Sequence, residues 1–323
     1  MSSSCGVQVP YLALKHVAGS DKPVFFDFME NKAMDIQHDG GGGVAELTNG
    51  NCWATPQGWV LVRSSSSTYL LDPHSHCKIQ LPHLPDEGQS TYCTCVLSDY
   101  PDPAEPSSSC IVLLVETDTP VIWYCHAGGG EDQEWVKHEF DIGTLHLGDG
   151  CTEKLVISPI AACRGKFYFN CDFKEMGVLE FCPMPVFSSI TIPDRPVAHQ
   201  PKGVMGRQYM VESKQELYVV SLLSGYDLDV VHRFHVHKMD FSKLEWREVR
   251  DIGDQTFLLS SWYFGASRPA EENELDRNCV YMACPWKKRF VILNVGDGSI
   301  EVEEFDQAPA SDQALWMLPT THS

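Results

Sequence analysis

Apolar and polar residues alternate along most of the chain, which is the pattern of β-strands that bury one face. The longest stretch without Gly or Pro is 226–252, where the alternation includes Phe234 and Val236. No stretch of ten or more residues repeats apolar positions at helical spacing. The pattern therefore predicts an all-β protein, with a hairpin turn at the polar break 240–243.

Glycine preceded by Asn or Asp interrupts this pattern at Asn49–Gly50, Asp149–Gly150 and Asp297–Gly298. These dipeptides supply the positive φ that tight hairpin turns require. The glycine run 40–43 and the serine run 64–67 are interpreted as loop tips. Nothing in the composition marks a domain boundary, so we predict one domain. Its predicted bounds are 10–320, with flexible termini at 1–9 and 321–323.

Two short sequences recur, and recurrence points to repeated structural units. The first is Glu134–Val136 leading to Asp141–Gly143, which recurs as Glu245–Arg247 leading to Asp251–Gly253. It predicts a repeated strand followed by a repeated turn. The second repeat consists of Val178–Phe181 after Tyr168 and Val302–Phe305 after Tyr281, with a third such tyrosine at Tyr218.

Strands grouped between turns form modules long enough for four short strands each. There are six of them, at residues 11–37, 52–82, 110–142, 155–192, 207–250 and 256–305. A four-stranded sheet of this size cannot bury both faces alone, whereas sheets stacked radially cover one another. We therefore predict a six-bladed β-propeller. Five and seven blades are the alternative blade numbers. A pair of β-sandwiches is the alternative, because sandwich strands also alternate and turn about every ten residues.

The net charge of the chain limits the classes of partner that are expected. The chain of 323 residues has 24 Lys and Arg against 44 Asp and Glu, a formal net charge of −20. A surface this acidic repels nucleic-acid phosphates and anionic lipid head groups. Charge-free apolar runs such as Ile111–Val115 fall far short of the ~20 residues that cross a bilayer. The sequence thus predicts no nucleic-acid partner and no membrane partner.

Cysteine usage and the N-terminal sequence indicate the compartment. The 13 cysteines lack the spacing of a disulfide scaffold, and residues 1–10 contain no basic segment followed by an apolar one. Reduced thiols without a secretion signal are typical of the cytoplasm or the nucleus. An organelle ranks below both, because the serine-rich start contains no Arg before Arg63.

The order of several motifs gives a family resemblance. Gly58–Val62 is followed by Leu70–Pro73 and Ile79–Pro82, which is the order and spacing expected of the strands in one blade. Further along the chain come Met210–Ser213 with Glu216–Val220, Phe234–Val236 with Trp246, Asn278–Tyr281 with Asp297–Ile300, and Trp316–Pro319. In this order the motifs resemble the plant F-box-associated propellers, known as domain of unknown function 295, with Asp72 in place of the usual Asn. The resemblance covers about residues 10–320.

The resemblance implies a propeller that holds a protein target, as in the F-box adaptors of cullin-type ubiquitin ligases. The first predicted strand begins near Tyr11, which leaves no room before it for the F-box helices. A link to a cullin ligase is therefore in doubt. We expect a non-enzymatic protein-binding module whose partner is a protein of unknown identity. The alternative is a channel enzyme that acts on a sugar or another small molecule.

Residue types suited to catalysis or metal binding do not form convincing motifs. Metal-ligand types cluster at His74, His76 and Cys77 and at His232, His235 and His237. The first cluster falls in a predicted turn and the second is divided between two faces of a strand, which disfavours a shared metal. Cys125 and His126 are adjacent but face opposite sides of a strand, and the carboxylates of 301–304 are interpreted as a solvated strand face. We predict no catalytic residue, no cofactor and no metal.

An aromatic segment is the predicted partner-binding loop. Trp262, Tyr263 and Phe264 are consecutive, and Arg268 follows closely. Three consecutive aromatic side chains on an extended segment cannot all face one core, so at least one is expected at the surface. Exposed aromatic and Arg side chains form the hot spots of protein interfaces. The alternative is that the segment is an inner strand, with two of the three aromatic rings packed between blades.

Overall fold

Strands account for nearly all of the regular structure, as the alternation predicts. The computed structural model describes residues 9–15, 17, 23–34, 47, 51–85, 92–101, 110–128, 133–148, 150–170, 175–192, 205–225, 227, 230–260, 263–305 and 307–320. Within these ranges the strands form six multi-stranded sheets, called blades below, and one separate hairpin. No helix in the described ranges is long and apolar enough to cross a bilayer.

The first three blades follow the chain closely. Blade 1 contains β1 (Tyr11–Lys15), β2 (Val24–Asp27), β3 (Lys32–Ala33) and the last strand of the chain, β27 (Gln313–Met317). Blade 2 contains β4 (Asn51–Ala54), β5 (Val60–Arg63), β6 (Thr68–Leu71) and β7 (Lys78–Leu81). Blade 3 contains β8 (Cys93–Leu97), β9 (Ile111–Glu116), β10 (Val121–His126) and β11 (Val136–Glu139).

A separate hairpin precedes the other three blades. It is formed by β12 (Thr144–Gly148) and β13 (Cys151–Lys154). Blade 4 contains β14 (Ile160–Cys163), β15 (Lys166–Phe169), β16 (Glu175–Phe181) and β17 (Pro185–Thr191). Blade 5 contains β18 (Met205–Ser213), β19 (Glu216–Ser224), β20 (Val231–Asp240) and β21 (Glu245–Val249). Blade 6 contains β22 (Gln255–Leu259), β23 (Gly265–Pro269), the 3₁₀ helix η1 (Glu271–Asn273), β24 (Cys279–Cys284), the 3₁₀ helix η2 (Pro285–Lys287), β25 (Arg289–Asn294) and β26 (Ile300–Glu304).

The blades are arranged in a ring around a central channel. Each blade contributes one innermost strand, and neighbouring innermost strands contact one another in the order β27, β4, β8, β14, β18 and β23. The prediction of a six-bladed β-propeller is therefore confirmed, and the paired β-sandwich alternative is wrong. The predicted module starting at 110 is too short, because blade 3 already begins with β8 at Cys93.

The hydrophobic core lies between blades, as expected for thin sheets that cannot bury both faces alone. Blades 2 and 3 share a cluster that contains the buried indoles of Trp59 and Trp123. Blades 6 and 1 share another, where the ring of Phe28 lies 5.3 Å from Trp316 and 4.9 Å from Phe290. The two shared clusters and the contact of Phe28 with Phe290 join residues of different blades, so the ring is stabilised by the packing of each blade against its neighbour.

Blade 1 closes the ring with strands from both ends of the described chain. β27 pairs antiparallel with β1 in an unbroken register from Tyr11 opposite Met317 to Lys15 opposite Gln313. The indole Nε1 of Trp316 donates a 3.0 Å hydrogen bond to the carbonyl oxygen of Leu259 in blade 6. The last strand therefore connects the first blade to the sixth.

Blade 6 differs from the others because it has five strands. β22 lies between β23 and β24, and it pairs parallel with β24, with Leu259 opposite Met282. β23 folds back from β22 to take the innermost position. The extra strand places the hairpin of β22 and β23, which contains most of the predicted partner-binding segment, at the centre of the ring.

The first sequence repeat marks the same place in two blades. Trp135 precedes β11 and Trp246 lies in β21, which are both outermost strands, and both indoles are buried. After each strand an Asp carboxylate accepts a hydrogen bond from a glycine N–H, at 3.1 Å within Asp141–Gly143 and 2.7 Å within Asp251–Gly253. The prediction of a repeated strand and turn is confirmed.

The second repeat does not mark equivalent strands. Tyr168 and Tyr218 lie on the second strand of their blades, and Tyr281 lies on the third because β22 is inserted. Val178 is paired directly with Tyr168, whereas Val302 lies on the outermost strand β26 and is separated from Tyr281 by β25. The similar sequences therefore lie in different environments, since Val178 is 3% exposed and Val302 is 52% exposed.

Candidate binding sites

The structure divides the predicted partner-binding segment. Trp262 lies outside the described residues, so its prediction is not tested. Tyr263 is in the turn between β22 and β23 with φ of 60° and a side chain that is 36% exposed. Its ring centroid lies 5.9 Å from that of Tyr209 on β18. Tyr263 is therefore accessible from solvent near the innermost strands.

Phe264 and Arg268 are not on this surface. Phe264 is buried in the core cluster that blades 6, 1 and 2 share, and Arg268 is 1% exposed on the innermost strand β23. Four residues of extended strand also separate the two side chains by about 13 Å. The prediction that both residues lie on one exposed surface is therefore corrected. The segment leads into the inner strand β23, in agreement with the alternative prediction of an inner strand.

A second exposed aromatic residue lies at the same edge of blade 6. Trp286 in η2 is 65% exposed. Because β22 and β24 are parallel neighbours, the turn after Leu259 and the helix after Cys284 emerge side by side. Tyr263 and Trp286 are therefore carried by adjacent strand ends.

Blade 5 extends this surface. Lys287 Nζ lies 3.7 Å from Asp227 Oδ2 in the loop between β19 and β20. Val230, in the same loop, is 36% exposed. We call the surface formed by Tyr263, Trp286 and Val230 the aromatic face. Trp286 was not among the predicted binding residues, although an indole directly after Pro285 in a short connection between two apolar strands was a usable sign of exposure.

Arg268 connects three blades near the other end of β23. Its Nε donates to the carbonyl oxygen of Pro319 at 3.1 Å, and its Nη1 donates to those of Pro56 at 3.0 Å and Ser267 at 2.6 Å. Gly58 has φ of 97°, and a Cβ there would lie 2.9 Å from Nη2, so this position needs glycine. The guanidinium thus holds the strand ends of blades 1, 2 and 6 together.

A small cavity of about 20 Å³ adjoins this guanidinium. Its lining includes Arg268, Glu212, Tyr100, Gln57 and Ser267, from blades 2, 3, 5 and 6. The volume exceeds the roughly 10–15 Å³ that one ordered water needs. It is far below the roughly 300–1,000 Å³ of sites for larger ligands. Among the described residues this cavity therefore gives no support to a channel enzyme that acts on a sugar.

Glu212 is the carboxylic acid of this cavity. Burial raises its pKa, and the negative charge of Asp99 acts in the same direction. A hydrogen bond from the N–H of Gln215 to Oε1, 2.6 Å long, and the positive charge of Arg268 oppose this effect. The net result is a carboxyl group that keeps its proton to higher pH than an exposed Glu.

The free energy of unfolding should fall as pH rises through the window that begins at the ordinary Glu pKa of about 4.3 and ends at the raised pKa of Glu212. In this window the unfolded chain has released the proton while the folded chain retains it. Glu212→Gln should remove this part of the pH dependence, which urea denaturation between about pH 4 and 8 would measure. Glu303→Gln on the exposed strand β26 is the matched control. Identical profiles for wild type and Glu212→Gln would contradict the raised pKa.

A larger cleft, of about 400 Å³, opens between blades 4 and 5. Its cations are already paired: Arg164 with Glu216 at 3.0 Å, and Arg247 with Asp240 at 2.8 Å. The guanidinium of Arg164 also lies 4.7 Å from the ring centroid of Phe241. The cleft is therefore a concave surface with an aromatic ring. These two cations are neutralised by carboxylates within it.

The residue types weighed for catalysis or metal binding are not brought together. No group of three or more potential ligands is assembled among the described residues. His74 is half-buried with its ring 5.6 Å from that of Tyr11, and this partial burial lowers its pKa. Burial also raises the pKa of the Cys125 thiol far above its ordinary value, which disfavours the nucleophilic thiolate. Residues 301–304 are exposed, as predicted for a solvated strand face.

Solved structures overlap the chain only loosely. Dihydro-heme d1 dehydrogenase NirN matches 93% of the chain at 8% identity and a TM-score of 0.35, and the chain spans about half of that protein, 55%. A luciferin-regenerating enzyme matches 62% of the chain and 74% of its own length at 11% identity and a TM-score of 0.27. A structure titled as the eukaryotic initiation factor matches 99% of both chains at 11% identity and a TM-score of 0.29. Overlaps this loose carry no functional argument.

Sequence comparison is more informative about the family. No curated protein matches the chain at the significance required. The model of one propeller family, described as the KIB1-4 beta-propeller, matches residues 25–306, which runs from β2 through blade 6. The match covers most of the ring, and the fold described above agrees with it. The chain therefore belongs to the KIB1-4 beta-propeller family.

Proposed function

We propose that the chain is a non-enzymatic protein-binding module that engages its partner through the aromatic face. The observation that carries this proposal is the exposure of Trp286, which at 65% leaves most of an indole in water. Trp and Tyr are enriched among the residues that dominate protein interfaces, because their rings bury much area with few rotatable bonds. Tyr263 emerges from the neighbouring strand end, so one partner surface can cover both rings.

The position of the aromatic face also supports recognition. It is formed by short connections at the ends of rigid strands, and such loops on a packed scaffold are where binding residues concentrate. The propeller places loops from blades 5 and 6 side by side here, joined by the ion pair of Lys287 and Asp227. The proposed role resembles that of the recognition propeller in plant F-box adaptors.

Affinity purification from cells of the source organism, with the captured protein identified by mass spectrometry, tests this proposal. The double variant Tyr263→Ala with Trp286→Ala should lose at least about tenfold of the captured partner, because truncating interface hot spots costs about 2 kcal/mol or more. Its thermal midpoint should stay close to that of wild type, since both side chains are partly or mostly exposed.

Val302→Ala is the matched control, because Val302 is 52% exposed on the outer edge of the same blade. It should leave capture unchanged. Equal capture by the folded double variant would exclude the aromatic face. Turnover of a small molecule by wild type that is lost in Glu212→Gln would instead favour the channel enzyme.

A further inference from the structure

Arg268 has a hydrogen-bond donor that no described group satisfies. Nε and Nη1 donate to the carbonyl oxygens described above, but Nη2 is buried and has no hydrogen-bond partner among the described residues. The side chain is 99% shielded from solvent, since its exposed fraction is 1%. Buried polar groups in folded proteins almost always have a partner, so an unpaired donor on a residue that lines a cavity indicates that the cavity holds water or a ligand.

The charge of Arg268 is also uncompensated by direct contact. Its three carbonyl partners are neutral, and none of the described carboxylates lies within ion-pair distance of it. Arginine stays protonated even when buried, although burial lowers its pKa. A buried charge without an anionic partner is costly. A water molecule in the cavity would satisfy the hydrogen bond and leave the charge unpaired, whereas an anion would satisfy both.

Two other polar side chains of the cavity already have hydrogen-bond partners. The amide of Gln57 donates to the carbonyl oxygen of Leu97 at 3.0 Å and accepts from the N–H of Leu97 at 3.3 Å. The hydroxyl of Ser267 bonds to that of Ser213 at 2.8 Å and to Gln255 Oε1 at 3.1 Å. Nη2 of Arg268 is therefore a buried donor, on a side chain that lines the cavity, without a partner among the described residues.

We propose that this cavity is a binding site for a carboxylate group, which Nη2 of Arg268 holds in the channel. Because Nε and Nη1 are already bonded to carbonyl oxygens, a carboxylate would accept a charge-assisted hydrogen bond from Nη2 and compensate the charge of the guanidinium. The volume of about 20 Å³ admits the carboxylate head and little more. Tyr100 is 42% exposed beside the cavity, which leaves a route from solvent for a free small carboxylate or for the tip of an acidic side chain.

The protonation state of Glu212 should affect the affinity of this site for a carboxylate. The charged groups around it are Arg268 on β23 and Asp99 on the loop after β8, and the turn that follows its own strand contributes the backbone N–H of Gln215. A bound carboxylate would be repelled by ionised Glu212 and accepted by protonated Glu212. Binding should therefore take up one proton, and affinity should fall as pH rises through the pKa of Glu212.

Titration of the wild-type chain with ¹³C-formate, followed by NMR of the formate signal, tests the site directly. Saturable binding is expected for formate, and none is expected for formamide, which has nearly the same shape without the charge. A short blocked peptide that contains aspartate distinguishes the two sources of the carboxylate. Competition by the peptide identifies an acidic side chain as the natural occupant, and its failure identifies a free small carboxylate.

Two variants connect binding to named residues. Arg268→Lys keeps the charge, but its single ammonium cannot bond the carbonyl oxygens of Pro319 and Pro56 and also take the place of Nη2, so it should weaken formate binding by at least about tenfold. Glu212→Gln should strengthen binding by about threefold or more at neutral pH, because it removes the repelling charge without removing the hydrogen-bond acceptor of Gln215. This second variant keeps the test valid if Arg268→Lys fails to fold.

Three results would overturn the proposal. They are absence of saturable formate binding to wild type, equal binding of formamide, and equal displacement of formate by chloride. Weaker formate binding to Glu212→Gln would also contradict it. The site does not depend on the aromatic face, so partner capture can fail while formate binding succeeds, and the reverse also holds.

Discussion

Replacing Arg268 with methionine is expected to lower the free energy of unfolding by about 2–4 kcal/mol. The substitution leaves the carbonyl oxygens of Pro319, Pro56 and Ser267 without this donor in a region that water does not reach freely. Each buried acceptor left unpaired costs about 1–3 kcal/mol, and the removal of a buried charge offsets part of the sum. Urea denaturation followed by tryptophan fluorescence would measure the difference.

Arg247→Met is the matched control for this result. Arg247 is exposed and pairs with Asp240 and Glu245, and surface ion pairs contribute only about 0–1 kcal/mol. It should therefore change stability much less than Arg268→Met. If both variants unfold at the same urea concentration as wild type, Arg268 does not hold the strand ends together.

Removing residues 313–323 is expected to prevent cooperative folding of the whole ring. The deletion takes away β27, which forms the inner edge of blade 1 and pairs with all five residues of β1. It also removes the buried indole of Trp316, and large core aromatic residues alone contribute about 3–5 kcal/mol. Since domains are stable by only about 5–15 kcal/mol, this loss is comparable with the total. Circular dichroism and size-exclusion chromatography should show a non-native, aggregating chain.

A shorter deletion provides the comparison. Removing residues 321–323 keeps β27 and the 2.8 Å hydrogen bond from Thr320 Oγ1 to Asp72 Oδ2. This variant should unfold at the wild-type midpoint. A cooperative transition in the longer deletion would mean that five blades and an incomplete sixth suffice for a stable ring.

The sequence predicts most of the architecture because local patterns determine it. Alternation places strands, and the Asp side chains that follow Trp135 and Trp246 determine two equivalent turns. The insertion of β22 was not predictable in this way. Its residues are buried like those of any inner strand, and the parallel pairing with β24 depends on where the chain returns after η1.

The candidate sites were only partly predictable, for a related reason. The aromatic run indicated that one ring must reach the surface, and Tyr263 does so. Alternation could not show that Arg268 faces the channel, because its partners Pro56 and Pro319 lie 212 and 51 residues away along the chain. Contacts at such separations are set by the closed ring, and no local pattern encodes them. Trp286 was missed because strand patterns give no information on short connections.

The pairing of β1 with β27 has a consequence for synthesis in the cell. The ribosome releases the chain from its N-terminus, so β1 emerges first and its inner partner emerges last. During almost the whole of translation β1 has an unpaired backbone edge, which is a template for pairing with strands of other chains. Until β27 has left the exit tunnel, the nascent chain therefore exposes this edge of β1 to pairing with other strands.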